Sequence, residues 1–178
     1  MKFEIIDNFL LQKDFENIIK NFFPKDLDKP NNFTWNYHKG IVRDPKLGST
    51  GYEEHDWMYN RVLYSSDNGL KFDRHYSLIK PIISKLKIKK LFDVRANLLV
   101  PTKEHIYHEF HTDRYVPHTV ALFYVTDCNG FTILKDTAKV ECVQNRMLLF
   151  DGSIEHRSVS STDEPRCVIN INYESISE

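Results

Sequence analysis

The residues with the most capacity for chemistry lie between 105 and 166. His111-Thr112-Asp113 sets an imidazole and a carboxylate two positions apart, on one side of an extended chain because strand side chains alternate. Such a pair offers a metal one nitrogen and one oxygen. Alone the triplet is uninformative: 8 histidines and 25 acids in 178 residues give about one His-x-acid by random placement, and the chain contains one. A third ligand must come from another strand. Downstream of Asp113 stand only His118 and His156. His118 follows five residues on, too close to come from across a sheet. His156 lies 43 residues on, after the apolar run RMLLFD and a turn, and Arg166 opens the last strand-like run ten residues later. Two imidazoles and one carboxylate can hold Fe(II) on one face and leave three positions open. Two of those suit the keto-acid end of 2-oxoglutarate and the third suits dioxygen. The far carboxylate of that dicarboxylate needs a buried partner, and arginine's planar fork meets a carboxylate bidentately. His111, Asp113 and His156 are therefore the candidate metal and catalytic residues, and Arg166 the candidate anchor.

Other groups have weaker claims. His105, His108 and His111 recur at i, i+3 and i+6, which on a helix would form a zinc cluster. No helical stripe accompanies them and His-Glu-x-x-His is absent, so His105 and His108 read as solvated or at a pocket mouth. Trp57, Tyr59 and Arg61 share one face of an expected strand, and Tyr115 follows the metal triplet in a loop. These four are the candidate substrate contacts, against the plainer reading of core or surface.

The elements that must position these groups read clearly in outline. FEII (3–6) is strand-like. LLQKDFENIIKNFF (10–23) carries a helical apolar stripe, with Asp7-Asn8 as a cap and Pro24 as its end. Residues 33–42 and 57–65 read as strands, 43–56 as a polar loop that could serve as a lid, and 73–87 as a second helix bent near Pro81. KLKIKK (85–90) reads as a solvated face. From residue 92 eight short strand-like runs follow one another with turn signals between them: 93–100, 106–111, 119–126, 131–136, 139–143, 146–151, 156–160 and 166–173. That spacing is the signature of a sandwich or barrel. In 119–125, Val120, Leu122 and Tyr124 oppose Ala121, Phe123 and Val125. In the last run Arg166, Val168, Asn170 and Asn172 oppose Cys167, Ile169, Ile171 and Tyr173. The second alternation is that of a strand with one face on a packed core and the other on a wet pocket.

Composition narrows the function classes. Hydrophobic residues are 41%, charged residues 28% and net charge is -1, so a dedicated nucleic-acid binder with a basic face is disfavoured. Three cysteines without Cys-x-x-Cys spacing argue against a disulfide framework or zinc ribbon and for a reducing, cytoplasmic setting. No signal peptide or membrane-spanning run is expected, hence no membrane partner.

On these residues the chain resembles the Fe(II)/2-oxoglutarate-dependent oxygenases, and among them the prolyl-4-hydroxylase-like branch. The likeness covers residues 93–173, and more loosely the entry FEIIDNFL. It rests on HTD, LFYVTD, NGFTIL, MLLFDGSIEHR and RCVININY. Prolyl hydroxylases show a Tyr-Leu-Asn-like strand and then Gly-Gly-x-Thr-x-Phe. This chain has Tyr124-Val125-Thr126 and then Asn129-Gly130-Phe131-Thr132-Ile133-Leu134, departing from the pattern at Asn129 and Leu134. The resemblance implies a mainly β fold with N-terminal α-helices and a double-stranded β-helix (jelly-roll, cupin-like) core. It implies one domain over 1–178, with 1–92 as support and 93–173 as the core. It implies Tyr124 as a hydrogen-bond partner of 2-oxoglutarate, with Asn97 close to the same co-substrate. The implied activity is hydroxylation of a C–H bond with release of succinate and carbon dioxide, using Fe(II), 2-oxoglutarate, dioxygen and ascorbate. A prolyl, peptidyl or amino-acid substrate is expected first and a small metabolite next. A jelly-roll metal-binding module without turnover and a metal-dependent hydrolase are the alternatives. The demethylases that repair alkylated nucleic acid carry a second arginine six residues after the anchor; here that position is Asn172, which argues against a nucleobase.

Overall fold

The computed structural model describes residues 3–23, 33–39, 57–67 and 69–176. The expected lid, 43–56, and Pro24 lie outside them. Two antiparallel sheets face each other. The larger holds, in order, β1 (Phe3–Ile6), β9 (Arg146–Asp151), β6 (Thr119–Tyr124), β11 (Arg166–Ser175), β5 (Ile88–Leu99), β3 (Trp57–Ser65) and β2 (Asn36–Lys39), with β4 (Lys71–Phe72) also paired to β3. The smaller holds β10 (His156–Val159), β7 (Phe131–Leu134) and β8 (Ala138–Glu141). Residues 106–111, expected as a strand, lie along the free edge of β10 through single bridges, Tyr107 to Val159 and His111 to His156.

Alternation sorts the side chains into two layers. Val120, Leu122, Tyr124 and Val168 meet Leu134, Val140 and Cys142 between the sheets. Ala121, Phe123, Cys167, Ile169 and Ile171 project from the other face of the larger sheet into a second core. Helix α1 (Gln12–Phe22) covers that face with Phe15, Ile18 and Phe22, and Phe15 meets Phe123 edge-on at 6.1 Å. Burying each such side chain stabilises the fold by about 1.5–3 kcal/mol.

The helix entry differs from its expected cap. Asp7 does not cap α1; it forms a forked ion pair with Arg146, at 2.6 and 3.1 Å. Leu11 is the N-cap, with no side-chain bond. The chain is held instead by Asn145, whose side chain accepts from the Leu10 amide at 2.9 Å and donates to the Leu10 carbonyl at 3.0 Å. The expected second helix is also shorter: a 3-10 turn, Tyr76–Ile79, runs into one turn of α2 (Lys80–Ile83). Pro81 lies in its first turn, where its missing N–H costs nothing, so it opens the turn rather than bending a longer helix. The four lysines of KLKIKK are exposed, as expected of a solvated face, while β5 starts within the run at Ile88, which pairs with Ser175 and packs against the helical core. No helix among the described residues is long and apolar enough to cross a membrane.

Candidate metal centre and anion pocket

His111 and His156 stand opposite each other because their backbones exchange two hydrogen bonds, His111 N to His156 O at 3.1 Å and His156 N to His111 O at 2.9 Å. Their rings are 4.6 Å apart. Asp113, two residues past His111, returns to the same point. Its carboxylate lies 3.6 Å from His111 Nε2 and 3.8 Å from His156 Nε2. The three donor atoms all fall within 4.8 Å of one another. Each imidazole turns its Nδ1 to a backbone carbonyl two residues back, Glu109 at 3.2 Å and Ile154 at 3.3 Å. Donation there leaves each Nε2 lone pair facing the common point, the arrangement a metal-ligating histidine requires. The Asn170 amide donates to Asp113 Oδ2 at 3.0 Å.

The electrostatics suit a cation. Burial alone would raise the Asp113 carboxyl, but the adjoining His111 ring, the field of His156 and the Asn170 amide hold it well below the usual carboxylate range. Burial pushes His156 down to about 4, against the pull of Asp113, so its ring is neutral near pH 7. His111 is moved the other way: burial lowers it, and Asp113 more than compensates.

A cavity of about 430 Å³ opens beside the three groups, walled by Leu99, Leu122 and Val168 and reaching Arg166 at its far side. Arg166 is 3% exposed. Its Nη2 donates to Thr132 Oγ1 at 2.8 Å, while its Nε is buried without a partner. Among the described residues no carboxylate pairs with it. A buried guanidinium without an anion is costly, so this end of the cavity is built for a negative ligand. Tyr124, which burial raises to about 12, keeps its proton and donates it to Thr132 Oγ1 at 2.8 Å. Thr132 thus accepts from two donors and keeps its own proton free for a ligand.

The structure brings together His111, Asp113, His156, Arg166 and Asn97 around one cavity, with Tyr124 behind Thr132. Asn97 Oδ1 is buried without a partner. The other four candidates line none of it. On β3 the alternate residues Met58, Asn60 and Val62 line the cavity. Trp57 and Tyr59 join Tyr37 in an aromatic cluster, and Arg61 pairs with Asp73 at 2.7 Å. Tyr115 is 79% exposed and lies over a separate trough with His118 and Gly152. His108 is buried rather than solvated, its Nδ1 bonded to Ser158 Oγ at 2.8 Å.

Sequence reasoning assigned no role to Thr132 or Asn170. Both carried a readable signal: Thr132 stands inside the Gly-x-Thr turn match, and Asn170 is in period-two register with Arg166. Arg95, which lines the same cavity, carried none.

No protein-family model matches the chain, and no curated protein does. Solved structures share its fold. The prolyl hydroxylase of Trichoplax adhaerens, in complex with a hypoxia inducible factor oxygen degradation domain peptide fragment, aligns over 98% of this chain and 84% of its own, at 13% identity and TM-score 0.62. A Pseudomonas putida prolyl-4-hydroxylase aligns over 98% and 93%, at 12% identity and TM-score 0.56. The non-heme alpha-ketoglutarate-dependent epimerase of nogalamycin biosynthesis aligns over 97% and 78%, at 12% identity and TM-score 0.59. At such identities the likeness is one of fold. The jelly roll with N-terminal helical cover is the architecture of this chain, shared with these two prolyl hydroxylases and the epimerase over 97–98% of its length.

Proposed function

We propose that this protein is an Fe(II)- and 2-oxoglutarate-dependent dioxygenase that hydroxylates a C–H bond of a prolyl, peptidyl or amino-acid substrate. The observation that carries the reading is the pairing of two features in one cavity: a His-Asp-His cluster at one side and a buried arginine without an anion at the other. His111 Nε2, the Asp113 carboxylate and His156 Nε2 would hold the ion. Arg166 would take the far carboxylate of 2-oxoglutarate, with Thr132 donating to the same group and Tyr124 fixing Thr132 from behind. Asn97 would lie alongside the co-substrate. Once bound, the ion and the keto acid would supply the oxidising power for hydroxylation, with succinate and carbon dioxide as co-products.

The chain's own work is geometric and electrostatic. Asn170 steadies the Asp113 carboxylate. The two backbone carbonyls fix the imidazole tautomers. Leu99, Leu122 and Val168 keep water from the space between anchor and triad. The choice of a prolyl or amino-acid substrate rests on the fold shared with two prolyl hydroxylases. An oxygenase acting on a small metabolite is the second reading, because an epimerase of nogalamycin biosynthesis shares the same fold.

The test is release of succinate from 2-oxoglutarate under added Fe(II) and ascorbate. Proline-bearing peptides and free amino acids would then be screened for gain of one oxygen. A protein that binds Fe(II) but is indifferent to 2-oxoglutarate would be a jelly-roll binding module instead. Oxygen gain on small metabolites alone would move the substrate class.

A further inference from the structure

The chain holds three free thiols, one of them directly after Arg166. Cys167, its neighbour on β11, is fully buried in the helical core. Cys128 and Cys142 lie on the opposite side, in the layer between the sheets. Their backbones run side by side: the Cys128 amide donates to the Cys142 carbonyl at 3.3 Å, and the Cys142 amide donates to the Gly130 carbonyl at 3.2 Å. The register sets Cys142 opposite Gly130, and the bond from the Cys128 amide holds the two cysteine Cα atoms about 5–6 Å apart, within the range that a disulfide spans. Both side chains also pack into the same layer between the sheets, where the Cys142 thiol donates to the Thr126 carbonyl at 3.1 Å. Cys142 is 3% exposed, whereas Cys128 is only partly covered.

The two sulfurs are chemically unequal. The adjoining Cys142 side chain, outweighing burial, together with the Gly130 amide and the Arg166 charge, brings Cys128 down to about 7. The same contact and deeper burial push Cys142 up. One accessible, acidic thiol beside one shielded thiol is the division of labour of an attacking and a resolving cysteine. The pair also touches the anchor through Gly130, two residues past Cys128. A Cβ at Gly130 would lie 2.9 Å from Arg166 Cδ, so the turn 128–130 packs directly on the arginine stem.

We propose that Cys128 and Cys142 are a redox modification site, closed to a reversible disulfide by a hydroperoxide, and that closure loosens the grip of Arg166 on its anion. The Cys128 thiolate attacks one oxygen of hydrogen peroxide. The O–O bond breaks, hydroxide leaves and is protonated to water, and Cys128 becomes a sulfenic acid. The Cys142 sulfur then attacks the Cys128 sulfur. The S–O bond breaks, and the departing hydroxide takes the Cys142 proton as a second water. Two thiols are oxidised by two electrons and one peroxide is reduced to two waters. Drawing Cys128 onto Cys142 shifts the turn 128–130 and, with it, the stem it packs on. The cross-link stands on thiol geometry alone; the effect on the anion rests on the proposed co-substrate role of Arg166.

The experiment exposes the full-length chain, loaded with Mn(II) in place of iron to avoid hydroxyl radicals, to hydrogen peroxide. Thiols are counted and peptides mapped by mass, and 2-oxoglutarate binding is then titrated. The expected result is loss of two of the three thiols, a Cys128–Cys142 cross-linked peptide that dithiothreitol reverses, and several-fold weaker 2-oxoglutarate binding. Cys128→Ser abolishes the cross-link and Cys167→Ser keeps it. Because Cys128 is partly exposed, Cys128→Ser remains a folded control if Cys142→Ala does not fold. Irreversible oxidation of Cys128 without a cross-link, or oxidation of Cys167 in its place, overturns the pair. A cross-link that leaves 2-oxoglutarate binding unchanged overturns the coupling. If Arg166→Ala is equally without effect on that binding, the co-substrate reading falls with the coupling, and the cross-link is judged by mass alone.

Discussion

Two residues divide the proposed site into separable halves. His156 offers its Nε2 to the cluster, and Arg166 meets no carboxylate among the described residues. His156→Ala should lower metal affinity by 10-fold or more on the scale of about 10–100-fold seen for lesser, outer-shell losses, while circular dichroism stays that of the folded sandwich. Arg166→Ala should leave metal binding within a few fold and raise the 2-oxoglutarate requirement far more. Calorimetric titration of each variant with Mn(II) and then 2-oxoglutarate separates the two, and equal loss of both ligands in both variants would contradict the division. Gly130 is a third point of control. An alanine there would set its Cβ 2.9 Å from Arg166 Cδ and 3.0 Å from the Val159 carbonyl. Since the backbone cannot yield cheaply, Gly130→Ala should destabilise by about 1–3 kcal/mol and weaken 2-oxoglutarate binding. A variant of unchanged melting temperature and unchanged binding would show that the turn has slack.

Among the elements, the entry to α1 depends on one side chain from the far end of the sequence. Asn145 is buried, sits at φ 58° and satisfies both polar groups of Leu10. Asn145→Ala leaves two buried groups unpaired, each worth about 1–3 kcal/mol, and places alanine in a left-handed conformation it disfavours. Urea unfolding should show a loss of about 2–6 kcal/mol on this basis, and a loss below about 1 kcal/mol would mean water replaces the amide. The α1 stripe, the strand alternations and the inner face of β11 were all legible beforehand, because a strong period survives any tertiary context. The cap on Asp7 was not. Asp7 found a guanidinium, Arg146, 139 residues away, and a bidentate ion pair satisfies a carboxylate better than one backbone N–H.

At the scale of the whole molecule, buried histidines set the response to acid. Burial pushes His108 down to about 4, so the unfolded chain takes up a proton near its ordinary value of about 6.5 while the folded chain does not. Its stability contribution is complete above that value and is lost as pH falls toward 4. Two to three pH units of such linkage amount to about 3 kcal/mol. Metal-free protein should therefore lose stability between pH 6.5 and 4, and His108→Gln should flatten that slope in urea titrations. An unchanged slope would mean that the ring is wetter than its 4% exposure implies.

Residue types and their order were enough to nominate His111, Asp113, His156 and Arg166, because metal and anion chemistry admits few side chains and a strand's period of two orders them. The same period showed that β3 has two faces, but not which face meets the cavity. Hydrophobicity does not separate Trp57 and Tyr59 from Met58 and Val62, and only the packing of β3 between β5 and β2 turned Met58, Asn60 and Val62 inward. Thr132 gained its partners through the facing of two sheets, and Asn170 gained Asp113 through the segment that crosses the mouth of the sandwich between β5 and β6. Local pattern carries the chemistry of a residue; its neighbours across a sheet depend on register and twist summed over the whole chain, and these exist only once the chain has folded.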